Sequence, residues 1–477
     1  MPDRRPERRT SRGHSVPQGR VRRPAPVARL TARTAGEAVV ASLRRKVTGT
    51  EDPDRHARAA ERYAELLGHS KGALMKAGQA ISFVSLGPAV PPEFQTAYQS
   101  ALARLRENAP PMNAVVAREV LEADLGQAAE ELFASFDWEP IAAASIGQVH
   151  SARLPDGRAV AVKIQYPGVA EAIRADLANT ELLATFLHLM ISVSSRRMRL
   201  DPRAIAREIG AHVEEELDYR LEAERQRTFA RLYRGHPFIH IPEVIDELSS
   251  EWTLVQELVI GRRWEDALGA EQDLRNRWAE AIHRFAYGSV NHFRMFNADP
   301  HPGNYVFHDD GSVSFLDFGC VKVIDEEMTA ITTELVRACL RGDVEGSWQA
   351  SVRAGLFRAS DDVSREAVFE YWHEPLRWYW DEQPFTVTPE FVARLTERRN
   401  SPTGPSAEVL RYLLAAPGAT ILGRMDTGVM SVIAELRASN LWASIAAEFY
   451  EGAPAVTEMG KLEDEFLAGH PAAIVHA

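Results

Sequence analysis

Two short acidic segments, 299–304 and 317–319, constrain this chain of 477 residues more than any other feature. Asp299 and Asn304 are five residues apart, and Asp317 follows Asp299 by 18. A phosphoryl group in transfer carries several negative oxygens, so its site must hold Mg²⁺ through oxygen ligands and keep one further carboxylate to orient the acceptor. Asp317 and Asn304 suit the metal, and Asp299 suits the acceptor. The pattern therefore predicts a phosphoryl-transfer site.

The chain between these segments predicts how they meet. Residues 305–307 and 313–316 are mostly apolar and flank an Asp-Gly step at 310–311, which is typical of a β-hairpin. A hairpin places its two outer ends on one rim, beside each other. The competing interpretation is that Asp-Pro and Gly-Asn are ordinary loop steps and that Asp-Phe-Gly at 317–319 is a chance tripeptide. Because both segments occur together at the spacing typical of kinases, the phosphoryl-transfer site is the favoured interpretation.

Upstream, residues 140–164 follow the order strand, loop, strand, turn, strand. Protein kinases cover the nucleotide phosphates with a glycine-rich loop over such strands. The positions of this loop that we assign to the nucleotide are Ala142, Ala143, Ala144, Ser145, Gly147 and Val149. Gly147 and Val149 match the kinase pattern, but alanines stand at its first two glycine positions. A Cβ where a phosphate approaches the backbone predicts a nucleotide geometry or catalytic preference unlike that of an ordinary kinase.

Lys163 ends a Val-Ala-Val-Lys motif that resembles the phosphate-pairing lysine motif on the third kinase strand. Kinases pair this lysine with a carboxylate on a helix, because an unpaired ammonium can leave the phosphates. The helical region 168–233 contains several acids, among which we predict Glu222 as the partner and hold Glu216 in reserve. The alternative is that these acids form a solvated helical face.

The apolar stretch 251–261 predicts a strand that runs into the hinge between two lobes. In such a hinge the backbone of Glu257 and Val259 would bond the adenine edge. Farther along the chain, the aromatic cluster at 371–380 has helical spacing, which is more typical of a core than of a ligand site.

The N-terminal third of the chain is either polar or helical. Residues 1–34 hold ten Arg against two acids and lack periodicity, which predicts a disordered tail, with an organelle transit peptide as the alternative. Residues 36–135 have helical periodicity and contain Lys76 and Gln79, three apart on one face. On spacing alone these two side chains belong to a solvated strip.

Charge and cysteine content exclude several classes of protein. The net charge is −12, and about −20 without the basic tail, which argues against broad nucleic-acid binding. Two cysteines cannot form a disulfide framework or a CxxC metal site, so a reducing compartment is expected. The most apolar stretch, 182–193, is too short to span a bilayer. We therefore expect a soluble, cytoplasmic protein without a transmembrane helix, with peripheral membrane contact left open.

Together these motifs resemble the UbiB family of atypical kinases, whose members support isoprenoid quinone synthesis in bacteria, mitochondria and plastids. The matching elements are K-x-G-Q at Lys76, Gly78 and Gln79, the alanine-rich loop 142–149, Lys163 with Gln165, E-x-D at Glu216 and Asp218 followed by Glu222, and the two segments 299–304 and 317–319. The resemblance implies an α+β, two-lobed protein kinase-like fold that is mostly helical, with a small antiparallel sheet in its N-lobe. It predicts a tail at 1–34, a helical extension at 35–138, an N-lobe with a helical insertion at 139–260, and a helical C-lobe at 261–477.

The resemblance also implies roles for the site residues. Lys163 would contact the α/β-phosphates and pair with Glu222. Asn304 and Asp317 would hold Mg²⁺, and Asp299 would be the catalytic Asp. The family's K-x-G-Q helix covers the pocket, which makes Lys76 and Gln79 candidates for nucleotide contact. The expected cofactors are ATP or ADP and Mg²⁺.

The resemblance implies an ATP-dependent phosphotransferase or ATPase that acts in prenyl-lipid metabolism. Many relatives carry C-terminal membrane-spanning helices, which the segment 326–477 lacks. No A-P-E motif follows Asp317. Because kinases that phosphorylate proteins usually carry this motif, a small molecule is expected as the target rather than a protein. The alternatives are a small-molecule kinase of specialised metabolism and an ATP-gated scaffold that presents a prenyl lipid to quinone-biosynthesis enzymes. The acceptor and the oligomeric state stay open.

Overall fold

The computed structural model describes residues 112–144, 146–171, 174, 214–215, 217–401, 404–414 and 416–470. The predictions for the tail 1–34 and for Lys76, Gln79, Ser145 and Glu216 lie outside the described residues. The strands are β1 Ser135–Phe136, β2 Ala142–Ala143, β3 Gly147–Arg153, β4 Ala159–Gln165, β5 Ile239–His240, β6 Thr253–Glu257, β7 Met295–Asn297, β8 Tyr305–Phe307, β9 Val313–Phe315, β10 Val321–Val323, β11 Phe385–Thr386 and β12 Ser439–Asn440. The helices are α1 Ala114–Leu125, α2 Ala129–Leu132, α3 Tyr219–Leu232, α4 Trp264–Leu268, α5 Gln272–His283, α6 Ser289–Phe293, α7 Glu326–Leu340, α8 Val344–Arg353, α9 Arg365–His373, α10 Arg377–Trp380, α11 Pro389–Asn400, α12 Val409–Tyr412, α13 Pro417–Glu435, α14 Trp442–Glu451 and α15 Glu458–Ala468.

The first lobe is built on a five-stranded antiparallel sheet in the order β1-β3-β4-β6, with β2 paired to β3. Alternation along β4 puts Val160, Val162 and Ile164 on the buried face and Lys163 on the opposite face. Helix α1 packs on the buried face, where Leu121 shares one apolar core with these three side chains. This core continues across residue 138, where we expected the helical extension to end, so α1 is an integral part of the lobe.

Gly147 allows β3 and β4 to approach each other closely. A Cβ at this position would lie 2.2 Å from the carbonyl oxygen of Ile164 and 2.9 Å from the hydroxyl of Tyr219. Both neighbours are fixed, one by the sheet and the other by α3. The absence of a side chain at this position is therefore required for packing, whether or not a phosphate also approaches it.

We expect Gly147→Ala to lower the free energy of unfolding by about 1–3 kcal/mol, the usual cost of forcing an atom into a filled site. Urea denaturation followed by circular dichroism measures the change. The matched control is Gly423→Ala in α13, where a Cβ would meet nothing within 4 Å, and where alanine favours the helix. Equal stability of wild type and Gly147→Ala would show that the sheet can relax around the added carbon.

Helix α3 joins the two lobes. It begins after Asp218, whose carboxylate accepts a hydrogen bond from the backbone of Arg220 and caps the helix. Its buried residues recur every three or four positions, and they include Glu222 near the sheet and Phe229 farther along. Phe229 belongs to the large apolar core of the second lobe. Helix α3 therefore presents the carboxylate of Glu222 to the first lobe and the ring of Phe229 to the second.

The second lobe contains the predicted hairpin and a largely helical body. β8 and β9 pair antiparallel and β5 joins β9 in parallel, while β7 pairs with β10. The aromatic cluster at 371–380 contributes to the core as expected, since Trp378 and Tyr379 are buried there, although Trp380 is partly exposed. Among the helices that the structure describes, none combines the length and apolar character needed to cross a bilayer.

The linker after β6 is attached to the hairpin. Arg262 and Phe307 exchange two backbone hydrogen bonds of 2.8 and 3.0 Å. Gly261 lies so close to the hairpin that a Cβ would be 2.5 Å from Val306 Cγ1. The segment that we expected to be a hinge is thus fixed to the strand that follows Asn304.

Candidate functional site

Lys163 is the centre of an ion-pair cluster that joins both lobes. Its Nζ donates to the two carboxylate oxygens of Glu222 at 2.8 and 2.9 Å and lies 3.7 Å from Oδ2 of Asp317. The lysine side chain is only 16 % exposed, and it lies over the ring of Tyr219. Burial disfavours the charged amine, but the carboxylates of Glu222 and Asp317 outweigh it and raise the pKa of Lys163 above its ordinary value. The amine is therefore held protonated beside Asp317, at the end of the hairpin.

Asp317 is fixed by its own loop and by Asn297. Its Oδ1 accepts a hydrogen bond of 2.9 Å from the backbone N–H of Gly319, and its carbonyl accepts one of 2.6 Å from the side chain of Asn297. The carbonyl oxygen of that same Asn297 side chain accepts a 2.9 Å bond from the backbone N–H of Asp299. One amide side chain thus connects both candidate acidic segments. Sequence reasoning missed this role, and the adjacency of Asn297 to Asp299 is the only signal that could have indicated it.

Asn304 closes a short 3₁₀ turn, Pro302–Asn304, directly before β8. Its backbone carbonyl accepts a 2.9 Å hydrogen bond from the N–H of Leu316, the residue that precedes Asp317. The pairing of β8 with β9 brings these two ends of the hairpin side by side, as its turn signal indicated. An amide oxygen and a carboxylate at adjacent chain ends are ligands of the type that Mg²⁺ uses in company with phosphate oxygens and water.

The described residues contain no cluster of three or more His, Cys, Asp or Glu side chains that could hold a metal by themselves. The roles of Asn304 and Asp317 as ligands stay predictions.

Asp299 contacts a helix far along the chain. Its Oδ1 is 3.4 Å from Nη2 of Arg424, which lies on α13. No motif marked Arg424 in the sequence, since 125 residues separate it from Asp299.

Phe318 anchors the loop that carries Asp317. Its ring is fully buried and packs 4.9 Å, between centroids, from the ring of Phe229 on α3. The ring of Phe229 also packs against that of Phe285, which in turn stacks on Phe315 of β9 with 3.7 Å between ring centroids. Because Glu222 and Phe229 are on the same helix, the contact that holds Phe318 also holds Glu222 against Lys163.

A second set of contacts fixes the loop from its other side. Arg225 of α3 donates to the carbonyl of Gly319 at 2.8 Å and to Glu215 at 2.7 Å, and Lys322 lies 3.3 Å from the same carboxylate. Burial opposes ionisation of Glu215, but Arg225 and Lys322 keep its pKa below the ordinary value. The alternative interpretation, that the acids of this helical region form a solvated face, does not hold for Glu215, whose carboxylate is held by two cations.

The alanine-rich loop, residues 142–149, belongs to the first lobe. Ala142 and Ala143 are exposed on β2, the N–H of Ala144 donates to the carbonyl of Gly147 at 2.9 Å, and Val149 is half-buried on β3. Contact of these residues with a nucleotide stays a prediction.

The backbone of the hinge is partly committed to the fold. The N–H of Glu257 donates to the carbonyl of Glu243 at 2.9 Å, while that of Leu258 donates to Ala159. Since the N–H of Glu257 is used in this way, its predicted contact with adenine would have to be made by its carbonyl. The N–H of Val259 makes no hydrogen bond within the described residues, so its predicted contact with adenine is compatible with the structure.

We expect Glu222→Gln to lower kcat/KM for ATP turnover by about 10²-fold, the usual effect of misplacing a group by about 1 Å in a site that depends on positioning. Glutamine keeps the size of the side chain but removes the charge that holds Lys163. Steady-state kinetics measures the effect, and Glu224→Gln on the exposed side of the same helix is the control. An unchanged kcat/KM in Glu222→Gln would mean that Asp317 alone positions the lysine.

The sheet with its buried lysine, the bridging helix and the hairpin flanked by Asn304 and Asp317 define a protein kinase-like protein. Comparison with known families agrees, because the model described as "ABC1 atypical kinase-like domain" matches residues 104–351, just over half of the chain. The chain belongs to this family of atypical kinases, as its resemblance to UbiB proteins indicated.

Several named relatives match the same region. The chain is 34 % identical to rat "Atypical kinase COQ8B, mitochondrial" over 293 residues, which covers 61 % of this chain and 53 % of that protein. It is 31 % identical to Arabidopsis thaliana "Protein ACTIVITY OF BC1 COMPLEX KINASE 8, chloroplastic", covering 57 % of this chain and 36 % of the relative. The chain therefore spans about half, or less, of these relatives' length.

A solved structure covers more of the chain. The complex of Rv3197 with erythromycin from Mycobacterium tuberculosis superposes with a TM-score of 0.60 at 29 % identity, over 87 % of this chain and 98 % of that one. Together with the family match, this confirms the predicted kinase-like fold.

Proposed function

We propose that this chain binds Mg·ATP in the cleft between its lobes and acts as a UbiB-type atypical kinase or ATPase. The observation that carries the proposal is the position of Lys163, which contacts Glu222 from α3 and lies 3.7 Å from Asp317. A buried lysine with these partners is suited to bind phosphates, because its charge is fixed by the protein before the nucleotide arrives.

In this proposal each residue has a defined task. Lys163 binds the α/β-phosphates and Glu222 keeps the amine in place. Asn304 and Asp317 would hold Mg²⁺, which supplies neutralisation of the charge that develops on the phosphate oxygens. Asp299 orients the acceptor, either water or a hydroxyl group, and Asn297 keeps Asp299 in register with Asp317 through its two hydrogen bonds. Positioning and electrostatics together supply the catalysis.

We further propose that the acceptor or effector is a prenyl lipid or another small molecule of isoprenoid quinone metabolism. The COQ8 relatives and the UbiB resemblance support this metabolic setting. The erythromycin complex of the Mycobacterium tuberculosis protein supports a small organic molecule as ligand of such a fold. It equally supports the alternative of a small-molecule kinase in specialised metabolism, while an ATP-gated lipid-presenting scaffold is the alternative without net phosphoryl transfer.

The proposed partners are a nucleotide, a small-molecule ligand and an enzyme of quinone biosynthesis, with no nucleic acid. A cytoplasmic location stays a prediction, since the named relatives are mitochondrial or chloroplastic.

Titration of the purified chain with ATP, with and without Mg²⁺, tests the proposal. We expect Mg²⁺-dependent binding of ATP. Lys163→Met should weaken this binding by at least about tenfold, the loss expected for one charge-assisted contact. The control Lys461→Met, which replaces an exposed lysine, should bind ATP like wild type. Analysis of the products of ATP turnover with a prenylated phenol then separates an ATPase from a kinase, because only the latter yields a phosphorylated acceptor. Absence of nucleotide binding under all of these conditions would refute the proposed function.

A further inference from the structure

Arg424 places a positive charge next to Asp299, the candidate catalytic Asp. Its guanidinium lies 3.4 Å from Asp299 and is only 18 % exposed. Arg424 thus approaches the segment 299–304 from a third element, the helix α13.

The approach of α13 to this site is close and fixed. Gly428 lies one helical turn after Arg424, and a Cβ on Gly428 would be 2.4 Å from Cγ of Pro300, the residue after Asp299. The adjacent face of the helix is anchored in the core by Met425, Val429 and Ile433. A glycine at the contact and an apolar anchor beside it hold the arginine near the loop.

The segment 299–304 contains no Lys or Arg of its own. The two candidate acids nevertheless each have a cation nearby, since Lys163 is 3.7 Å from Asp317 and Arg424 is 3.4 Å from Asp299. The second cation comes from a helix beyond residue 351, where the family match ends, so the family model assigns it no role.

We propose that Arg424 is a positioning residue for phosphoryl transfer, which fixes the carboxylate of Asp299 and supplies positive charge at the acceptor end of the cleft. A guanidinium can hold a carboxylate through one N–H and direct its remaining donors elsewhere, because its geometry is planar and rigid. A cation already in place where negative charge develops lowers the barrier without reorganisation, and arginines supplied by another segment act in this way in phosphoryl transfer. The inference rests on the proposed function.

The test compares Arg424→Ala, Arg424→Lys and wild type in steady-state ATP turnover. We expect kcat of Arg424→Ala to fall by about 10²-fold, while KM for ATP changes by less than about threefold, because nucleotide binding depends on Lys163 and Asp317. Arg424→Lys should recover part of kcat. Guanidinium ion added at non-denaturing concentration should raise kcat of Arg424→Ala towards wild type, and a merely structural loss would not respond to it.

The matched control is Arg341→Ala, which removes an arginine that is 63 % exposed and pairs with Glu451 on the surface. It should leave both kinetic constants unchanged. An Arg424→Ala variant with wild-type or raised kcat, or with a changed KM at constant kcat, would overturn the inference. If Arg424→Ala does not fold, kcat of Arg424→Lys and Arg424→Gln decides in the same way. A wild-type chain that binds no ATP would instead refute the proposed function, so the two failures are distinguishable.

Discussion

Replacing Asp317 with Asn is expected to lower kcat for ATP turnover by at least about 10³-fold, because the change removes the one carboxylate charge of the proposed Mg²⁺ site and leaves only two neutral amides to hold the metal. The substitution should leave the fold intact. The amide oxygen of Asn at position 317 can still accept the 2.9 Å hydrogen bond from Gly319. The bond from the Asn297 side chain goes to the backbone carbonyl of residue 317, which the substitution does not change. Single-turnover hydrolysis measures the effect, and circular dichroism checks the fold.

The same hairpin offers a matched control. Asp309 lies at its far end, is 78 % exposed and pairs with Arg262. Asp309→Asn removes the same charge from the same element, yet it should change kcat by less than about twofold, because exposed charges outside the site are screened by water. Turnover similar to wild type in Asp317→Asn would remove Asp317 from the proposed role.

Arg284→Ala is expected to destabilise the second lobe by about 3–5 kcal/mol, the usual cost of removing one partner from a buried ion-pair network. The guanidinium is 1 % exposed and donates to Glu280, Glu448 and Glu463 at 2.9, 2.7 and 2.8 Å. It thereby connects the end of α5 to α14 and α15. Without it, the three carboxylates lose their common cation in an apolar environment.

Urea denaturation at neutral pH measures this loss. The control is Arg353→Ala, whose partner Glu334 is on the surface. Little change is expected there, since exposed ion pairs contribute at most about 1 kcal/mol. An equally small effect of Arg284→Ala would mean that the carboxylates are solvated or protonated in the native protein.

The destabilisation should depend on pH in a defined direction. Burial favours the neutral acid, but His236 and Arg284 hold the pKa of Glu463 at about 2, against an ordinary value of 4.5. A carboxyl group with a lowered pKa stabilises the fold fully above its ordinary pKa and loses this contribution as the pH falls towards the native value. Burial raises the pKa of Glu448, so that group protonates earlier. The difference between wild type and Arg284→Ala should therefore be largest near neutral pH and decrease below pH 4.5.

The parts of the site that sequence reasoning found are those with local signals. Asp299, Asn304 and Asp317 lie within one short stretch, where spacing and a hairpin turn are sufficient to predict that they are neighbours. Lys163 was recognisable from its strand motif. Glu222 was harder, because 59 residues separate it from Lys163 and other acids precede it on the chain. Only its burial on α3 distinguishes it from a solvated helical acid.

The parts that sequence reasoning missed depend on tertiary packing. Asn297 resembles an ordinary loop residue until the structure places its amide between the two segments. Arg424 reaches Asp299 because Gly428 lets α13 approach Pro300, and this kind of fit leaves no periodic pattern. Gly147 was assigned to the phosphates by a motif, whereas the structure shows a packing reason for it. The fold class was predictable because the motifs of this chain resemble those of the UbiB family, and each motif is a short stretch of local sequence.

The most direct test of one shared metal-nucleotide site is a crystal structure with a non-hydrolysable ATP analogue and Mn²⁺ in place of Mg²⁺. We predict an anomalous peak bonded to oxygen atoms of both Asp317 and Asn304, with the α/β-phosphates against Lys163. A metal peak away from both residues, or a nucleotide bound outside the cleft between β4 and the hairpin, would contradict the account.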